Sequence, residues 1–325
     1  MTVSGFYKKM EKDGLNYLDI FKKSLALSWE RKLLWIFGFF IFLGTASQSL
    51  SVNWKESESL KASLADFMDR SVFSGPAMLT MLIVAMLTLW LLKAVGQAAI
   101  IRSIGKPKAT DKNEFRQLFF AGKIYSWRIL GIDLLFNLLV VIVFLTLSLP
   151  VIFLIFAKAY ALSALVGLFA VMIFIPVSVL AYFIKRFSYI YLVVPDMNMR
   201  DSMENAYLIF KNHLLKSLLF SILLFATGIL LSVGFLAAIF IMGTPLLFAG
   251  LAMSLIFSKI GTYILMAVGL SILSLAFILS QSMIEAFKQI SWVIFFQEIG
   301  SPRVKKETVF EKAPLADGLP RPEKA

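Results

Sequence analysis

Apolar residues run through this chain in long blocks, and charged residues collect in the gaps between them. Six blocks come near or exceed the roughly 20 residues that a helix needs to cross a bilayer core. They are about 33–50, 76–101, 128–150, 160–184, 214–242 and 261–284. The pattern predicts an all-α integral membrane protein with about six transmembrane helices. Residues 1–300 are expected to form a single polytopic helical domain. From Ser301 the chain reads "SPRVKKETVFEKAPLADGLPRPEKA"; its prolines and scarcity of apolar residues predict a disordered cytoplasmic tail, 301–325.

Three blocks are entered through the same kind of leader: "NYLDIFKKSLALSWERKLLWIFGFF", "NEFRQLFFAGKIYSWRILGIDLLF" and "RDSMENAYLIFKNHLLKSLLFSILLF". Each has an amphipathic stretch with aromatics, a short basic or polar cluster, and then the apolar run. Such leaders are expected to form elbow helices along the inner headgroup layer, apolar rings toward lipid and Lys or Arg toward phosphates. Trp29, Trp127 and Phe210 fall near the turn from leader to span and are expected to act as interfacial anchors. One elbow with an out-and-back pair of helices makes a unit, and three such units give a weak internal repeat.

The links differ. Residues 51–75 make the one long outer loop, in which "KESESLKASLADFMDR" has the spacing of a surface helix. After Pro150 and Pro245 come "VIFLIFAKAY" and "LLFAGLAMSLIF". Both are too short to span; they either dip back into the membrane or extend the neighbouring helices. Pro176 predicts a kink in the fourth span. The spacings Ser163/Gly167 and Gly234/Ala238 permit close helix contact.

Composition strengthens the membrane assignment. Hydrophobic residues are 59% of the 325 and charged residues 16%, an apolar excess that one soluble core cannot hide. The charge of +12 belongs with anionic headgroups rather than nucleic acid, because basic residues collect in cytoplasmic loops. Of the 32 Lys and Arg, all but Lys55, Lys61, Arg70, Lys158 and Lys259 lie on one side of this threading. Both termini are therefore expected in the cytoplasm, with the first span uncleaved.

Polar residues inside the apolar blocks are the candidate chemistry. Asp133 lies about 8 Å inside the third span and Asn137 one turn deeper; Lys93 lies about 12 Å inside the second, with Gln97 one turn closer to water. A Lys93–Asp133 clasp completed by Gln97 and Asn137 would hold these groups in hydrocarbon, and intramembrane charges are also candidates for a transport or ligand role. Gln281, Glu285 and Lys288 form a second polar stripe, in which the last two can pair within their own helix.

No catalytic motif accompanies them: GxSxG, HExxH, GxxxxGK[ST] and GxGxxG are absent from the sequence. With no cysteine and one histidine, His213, no metal or other cofactor is expected, and the chain is expected not to be an enzyme.

The segments "AVGQAAIIRSI", "NEFRQLFFAGKIYSWRILGIDLL", "RFSYIYLVVPDMNMRDSMENAYLIFKNHLLKSLL" and "SMIEAFKQISWVIFFQEI" resemble a broad set of bacterial polytopic membrane domains. Among these is the membrane domain found ahead of some glycerophosphodiester phosphodiesterases. The likeness covers roughly residues 85–300 and rests on hydropathy and leader layout. It implies an internally repetitive helical domain of a multi-pass protein in the bacterial cytoplasmic (inner) membrane, without the catalytic barrel and without any catalytic residue. The expected function is a non-catalytic module that organises lipid or a protein partner, with homo-oligomers open. The alternative is a transporter or channel for a small molecule, ion or lipid with a polar site between the second and third spans. A polar cavity at Lys93, Gln97, Asp133 and Asn137 would favour the alternative, and a dry interface the first.

Overall fold

A chain that must satisfy its backbone without water does so within helices, and every described element is an α-helix. The computed structural model describes residues 16–50, 75–104, 114–256 and 259–300. The expected surface helix after residue 54 and the tail from Ser301 lie outside them. The helices are α1 (Tyr17–Glu30), α2 (Leu33–Leu50), α3 (Gly75–Ile104), α4 (Glu114–Phe156), α5 (Tyr160–Val193), α6 (Met199–Asn212), α7 (Leu214–Ile256) and α8 (Lys259–Gly300). Within α3, α4, α5, α7 and α8 lie five segments long and apolar enough to cross a membrane; the apolar part of α2, Leu33–Ser47, is shorter.

Sequential helices pair: α2 with α3, α4 with α5, and α7 with α8. Further packing of α3 on α4 and of α2 on α8 joins the pairs into an arc running α5–α4–α3–α2–α8–α7. Its two ends, α5 and α7, hardly touch each other directly.

Both links of uncertain course extend helices. α4 runs through Pro150 to Phe156, and α7 runs through Pro245 to Ile256. Each keeps its backbone hydrogen-bonded by continuing, which a dip back into lipid would interrupt. The α4–α5 turn reverses through Lys158 in a left-handed conformation (φ 58°). α5 likewise continues through Pro176.

The leaders behave differently from one another. The first is a separate helix, α1, broken from α2 at Arg31, whose guanidinium donates to the Ser103 carbonyl at the end of α3 (2.9 Å). The third is α6, which ends at His213. The second has no break: it is the start of α4, a single helix of 43 residues. Nothing in "KIYSWRILG" stops a helix, since it lacks proline and its lone glycine follows the expected elbow.

Packing is concentrated at one end of the bundle, along the length of the helices. Phe37, Ile100, Phe183, Phe187, Phe220, Phe287, Trp292 and Phe295 are all fully buried there, with Phe220 and Phe295 stacked 4.0 Å apart. By contrast, the apolar stretches toward the other end, such as Val141–Leu145 and Leu165–Met172, expose most of their large side chains.

Close helix approach is set by glycines other than those the spacings suggested. A Cβ on Gly96 of α3 would stand 2.6 Å from the Phe37 carbonyl oxygen of α2, and one on Gly122 of α4 the same distance from the Val95 carbonyl oxygen of α3. Gly234 meets nothing within 4 Å, and Gly167 only Val151 at 3.9 Å.

Candidate binding cavity

Where the packed end of the bundle gives way to the loosely packed end, a cavity of about 610 Å³ opens between the helices. Its wall is polar on one side. α3 contributes Lys93 and Gln97, α4 Asp133, α5 Tyr182, Lys185, Arg186 and Tyr189, and α8 Glu285 and Lys288. The four α5 residues recur at i, i+3, i+4 and i+7 and so share one helix face. Trp292 lines the cavity and packs edge-on against Phe183, Phe187 and Phe220, joining it to the aromatic core.

Asp133 is 6% exposed and strongly held. Lys185 Nζ lies 2.9 Å from its Oδ1, the Tyr189 hydroxyl donates to Oδ1 (2.8 Å), and Trp90 Nε1 donates to Oδ2 (2.8 Å). Burying a carboxylate is costly unless opposite charge and donors surround it, and α5 supplies most of that surround. Asn137 Oδ1 accepts from Lys185 at 3.3 Å, and Gln97 is buried in the cavity wall. The structure therefore brings Lys93, Gln97 and Asp133 to one cavity with Asn137 at its edge, and Lys185, Tyr189 and Trp90 donate to the carboxylate.

The second stripe meets the same cavity. Lys288 Nζ is 3.0 Å from Glu285 Oε1 one turn away, and both line the space; Gln281 is not among the lining residues. Arg186 differs from the other cations. It donates to the Gln289 side-chain carbonyl (2.7 Å) and sits 5.7 Å over the Tyr182 ring, and both partners are neutral. Among the described residues no carboxylate comes within ion-pair range of it.

Four helices bring charge to this level at the same place in their sequences. Residues 75–92, 134–157, 159–184 and 260–284 carry no charged side chain, and each run ends at a cavity residue: Lys93, Asp133, Lys185 or Glu285. At about 1.5 Å per residue these runs measure about 27–39 Å, comparable to a hydrocarbon core of about 30 Å. α2 and α7 are the exceptions: α2 lines the cavity with Ile41 and Thr45, and α7 with Ser221, Ile222, Leu224 and Phe225. Ile222 and Phe225 are 63% and 70% exposed, so the cavity is open on this side.

The expected anchors divide. Trp29 and Trp127 are exposed, Trp127 by 78%. Phe210 is buried, stacked on Phe183 at 4.9 Å. It belongs to the inward face of α6 with Ser202, Ala206 and Ile209, so it packs the core and does not anchor in lipid. His213 stands at the α6–α7 junction; partial burial, and then the neighbouring Lys216 charge, hold its pKa below the usual histidine value.

Lys185, Arg186, Tyr182 and Tyr189 escape a reading by runs, because Lys185 and Arg186 look like the first basic residues of a loop. The signal that finds them is the helical spacing of polar groups in "YFIKRFSY". Among the described residues no cluster of His, Asp or Glu has the composition of a metal site. No family model matches the chain, and no curated protein or solved structure does so either.

Proposed function

We propose that this chain is a multi-pass membrane protein of six transmembrane helices that binds an anionic ligand, without catalysis, in the cavity among α3, α4, α5, α7 and α8. The carrying observation is the charge of the cavity wall. Lys93, Lys185, Arg186 and Lys288 face two carboxylates, Asp133 and Glu285. Excess positive charge in a low-dielectric setting is costly, and a bound anion offsets it.

The chain sits in a bacterial inner membrane with both termini and the charged end of the bundle cytoplasmic. α1, α6 and the first turns of α4 meet the inner headgroup layer, and the three helix pairs form a degenerate repeat. The resemblance to membrane domains that precede some glycerophosphodiester phosphodiesterases supports this location and carries no activity over. The cavity favours ligand handling over a purely scaffolding module. The charge-free runs beyond it offer ions no charged steps across the bilayer, which favours binding and release at one membrane face over conduction.

Native mass spectrometry of the chain extracted from its own membranes in lipid nanodiscs tests this. A retained anionic molecule, lost from an Arg186→Gln variant, is the expected result. An empty chain with a stoichiometric second protein would instead make it an assembly module.

A further inference from the structure

We infer that the ligand is a phosphate-bearing amphiphile that enters sideways between α5 and α7, its head against Arg186 and its chains along the apolar flank of the opening. This rests on the ligand-binding role proposed above and names the ligand's class and route.

The head follows from the charges. Asp133 is engaged by Lys185, and Glu285 by Lys288, so the two carboxylates of the wall each have a cation at hand. Arg186 is held by the Gln289 amide oxygen and by Tyr182, and it feels the Glu285 charge, but it has no carboxylate within 4 Å among the described residues. A guanidinium presents several donors in a planar fork that matches phosphate oxygens, two at a time. Lys93 and Lys288 line the same space, and Ser221 adds a hydroxyl from the opposite wall. A phosphate head fits this set better than a carboxylate, because its oxygens can meet the Arg186 fork and a neighbouring ammonium group together.

The tails follow from the asymmetry of the wall. Charge comes from α3, α4, α5 and α8, whereas α7 presents Ile222, Leu224 and Phe225. The cavity is therefore amphipathic, with its apolar side at the opening. A second groove, about 440 Å³ and almost wholly apolar, lies beside the same two helices, lined by Pro176, Val179 and Leu180 of α5, Phe210 of α6, and Leu214 and Leu218 of α7. Because α5 and α7 end the arc and hardly touch, a chain-bearing ligand can pass between them without breaking a packed interface. A free anion would gain nothing from these apolar surfaces. An amphiphile uses both, since each buried methylene contributes about 0.8 kcal/mol.

The test uses the full chain in neutral detergent, with three probes that separate head from tails. Phosphatidylglycerol has both, glycerol 3-phosphate only the head, and a diacylglycerol only the tails. Phosphatidylglycerol is expected to raise Tm saturably, by about 5 °C, as a ligand specific to the native state does. The diacylglycerol should not, and glycerol 3-phosphate should need at least a tenfold higher concentration. Arg186→Gln should abolish the shift and Arg186→Lys keep part of it.

Should Arg186→Gln not fold, Ile222→Cys replaces it. The chain has no native cysteine, so a bulky maleimide on Cys at the opening should block the phosphatidylglycerol shift after folding. Equal potency of glycerol 3-phosphate would overturn lateral lipid entry in favour of a free-anion site. Equal potency of diacylglycerol would overturn the role of Arg186. No shift from any probe would overturn the lipid assignment, whereas a different small anion retained in the mass spectra would leave the ligand-binding role standing.

Discussion

Asp133 shows how much a single residue's setting depends on helices distant in sequence. Its Oδ1 meets two groups from α5, the Lys185 ammonium and the Tyr189 hydroxyl, and its Oδ2 meets the Trp90 indole of α3. Asp133→Asn leaves Lys185 facing a neutral amide. The expected loss is about 2–3 kcal/mol, below the about 3–5 kcal/mol of a fully buried broken pair because the open cavity leaves the Lys185 side chain 22% exposed. Adding Lys185→Met should restore part of that loss, so a double-mutant cycle by denaturant or thermal unfolding in detergent should give a coupling of at least about 1 kcal/mol. Additive losses would dissolve the pair. Sequence alone locates Asp133 as a charge needing company, because its depth along its own helix is countable. It does not name Lys185, because no spacing rule says which face of α5 turns toward α4.

At the scale of elements, glycines and a junction carry the expectations. Gly96→Val inserts a side chain where even a Cβ would crowd the Phe37 carbonyl oxygen. The expected cost is about 1–3 kcal/mol, as for other overpacked sites. Gly234→Ala, in open space, should be neutral or gain up to about 1 kcal/mol from helix propensity. Comparing the two melting temperatures checks which crossings are tight.

His213 adds a pH effect at the α6–α7 junction. Its folded pKa lies below the unfolded value of about 6.5. The unfolded chain therefore binds the extra proton first as pH falls through that value, and the fold loses stability there. Tm should decline on acidification below about pH 6.5, and His213→Gln should remove that component of the decline. Helix existence was legible from the apolar blocks. The fate of each leader was not, because "KIYSWRILG" and "LALSWERKL" share a basic-aromatic pattern while only the latter breaks. The break at Arg31 is stabilised by a tertiary bond to Ser103 that no local pattern encodes.

At the scale of the molecule, hydropathy gave the long apolar helices, but not the arc they form or the gap between its ends. The arc depends on which small residues meet which backbones, as Gly96 meets Phe37 and Gly122 meets Val95. A run of apolar residues hides that choice. The cavity was half legible: Lys93, Gln97 and Asp133 stood out as polar groups inside apolar blocks, while Arg186 passed for a loop cation at the end of one. Orientation is open to direct measurement. Lys123→Cys, in a chain without other cysteines, should react with an impermeant maleimide only in inverted vesicles. Labelling of intact cells would reverse the proposed topology.

The most direct test of the central claim, that the cavity holds an anionic ligand, is an experimental structure of the chain in nanodiscs of its native lipids. The account predicts ligand density within hydrogen-bonding distance of Arg186, with the wall formed by Lys93, Lys185 and Lys288 kept open around it. A collapsed, dry interface with Arg186 paired to a carboxylate of the protein itself would contradict it.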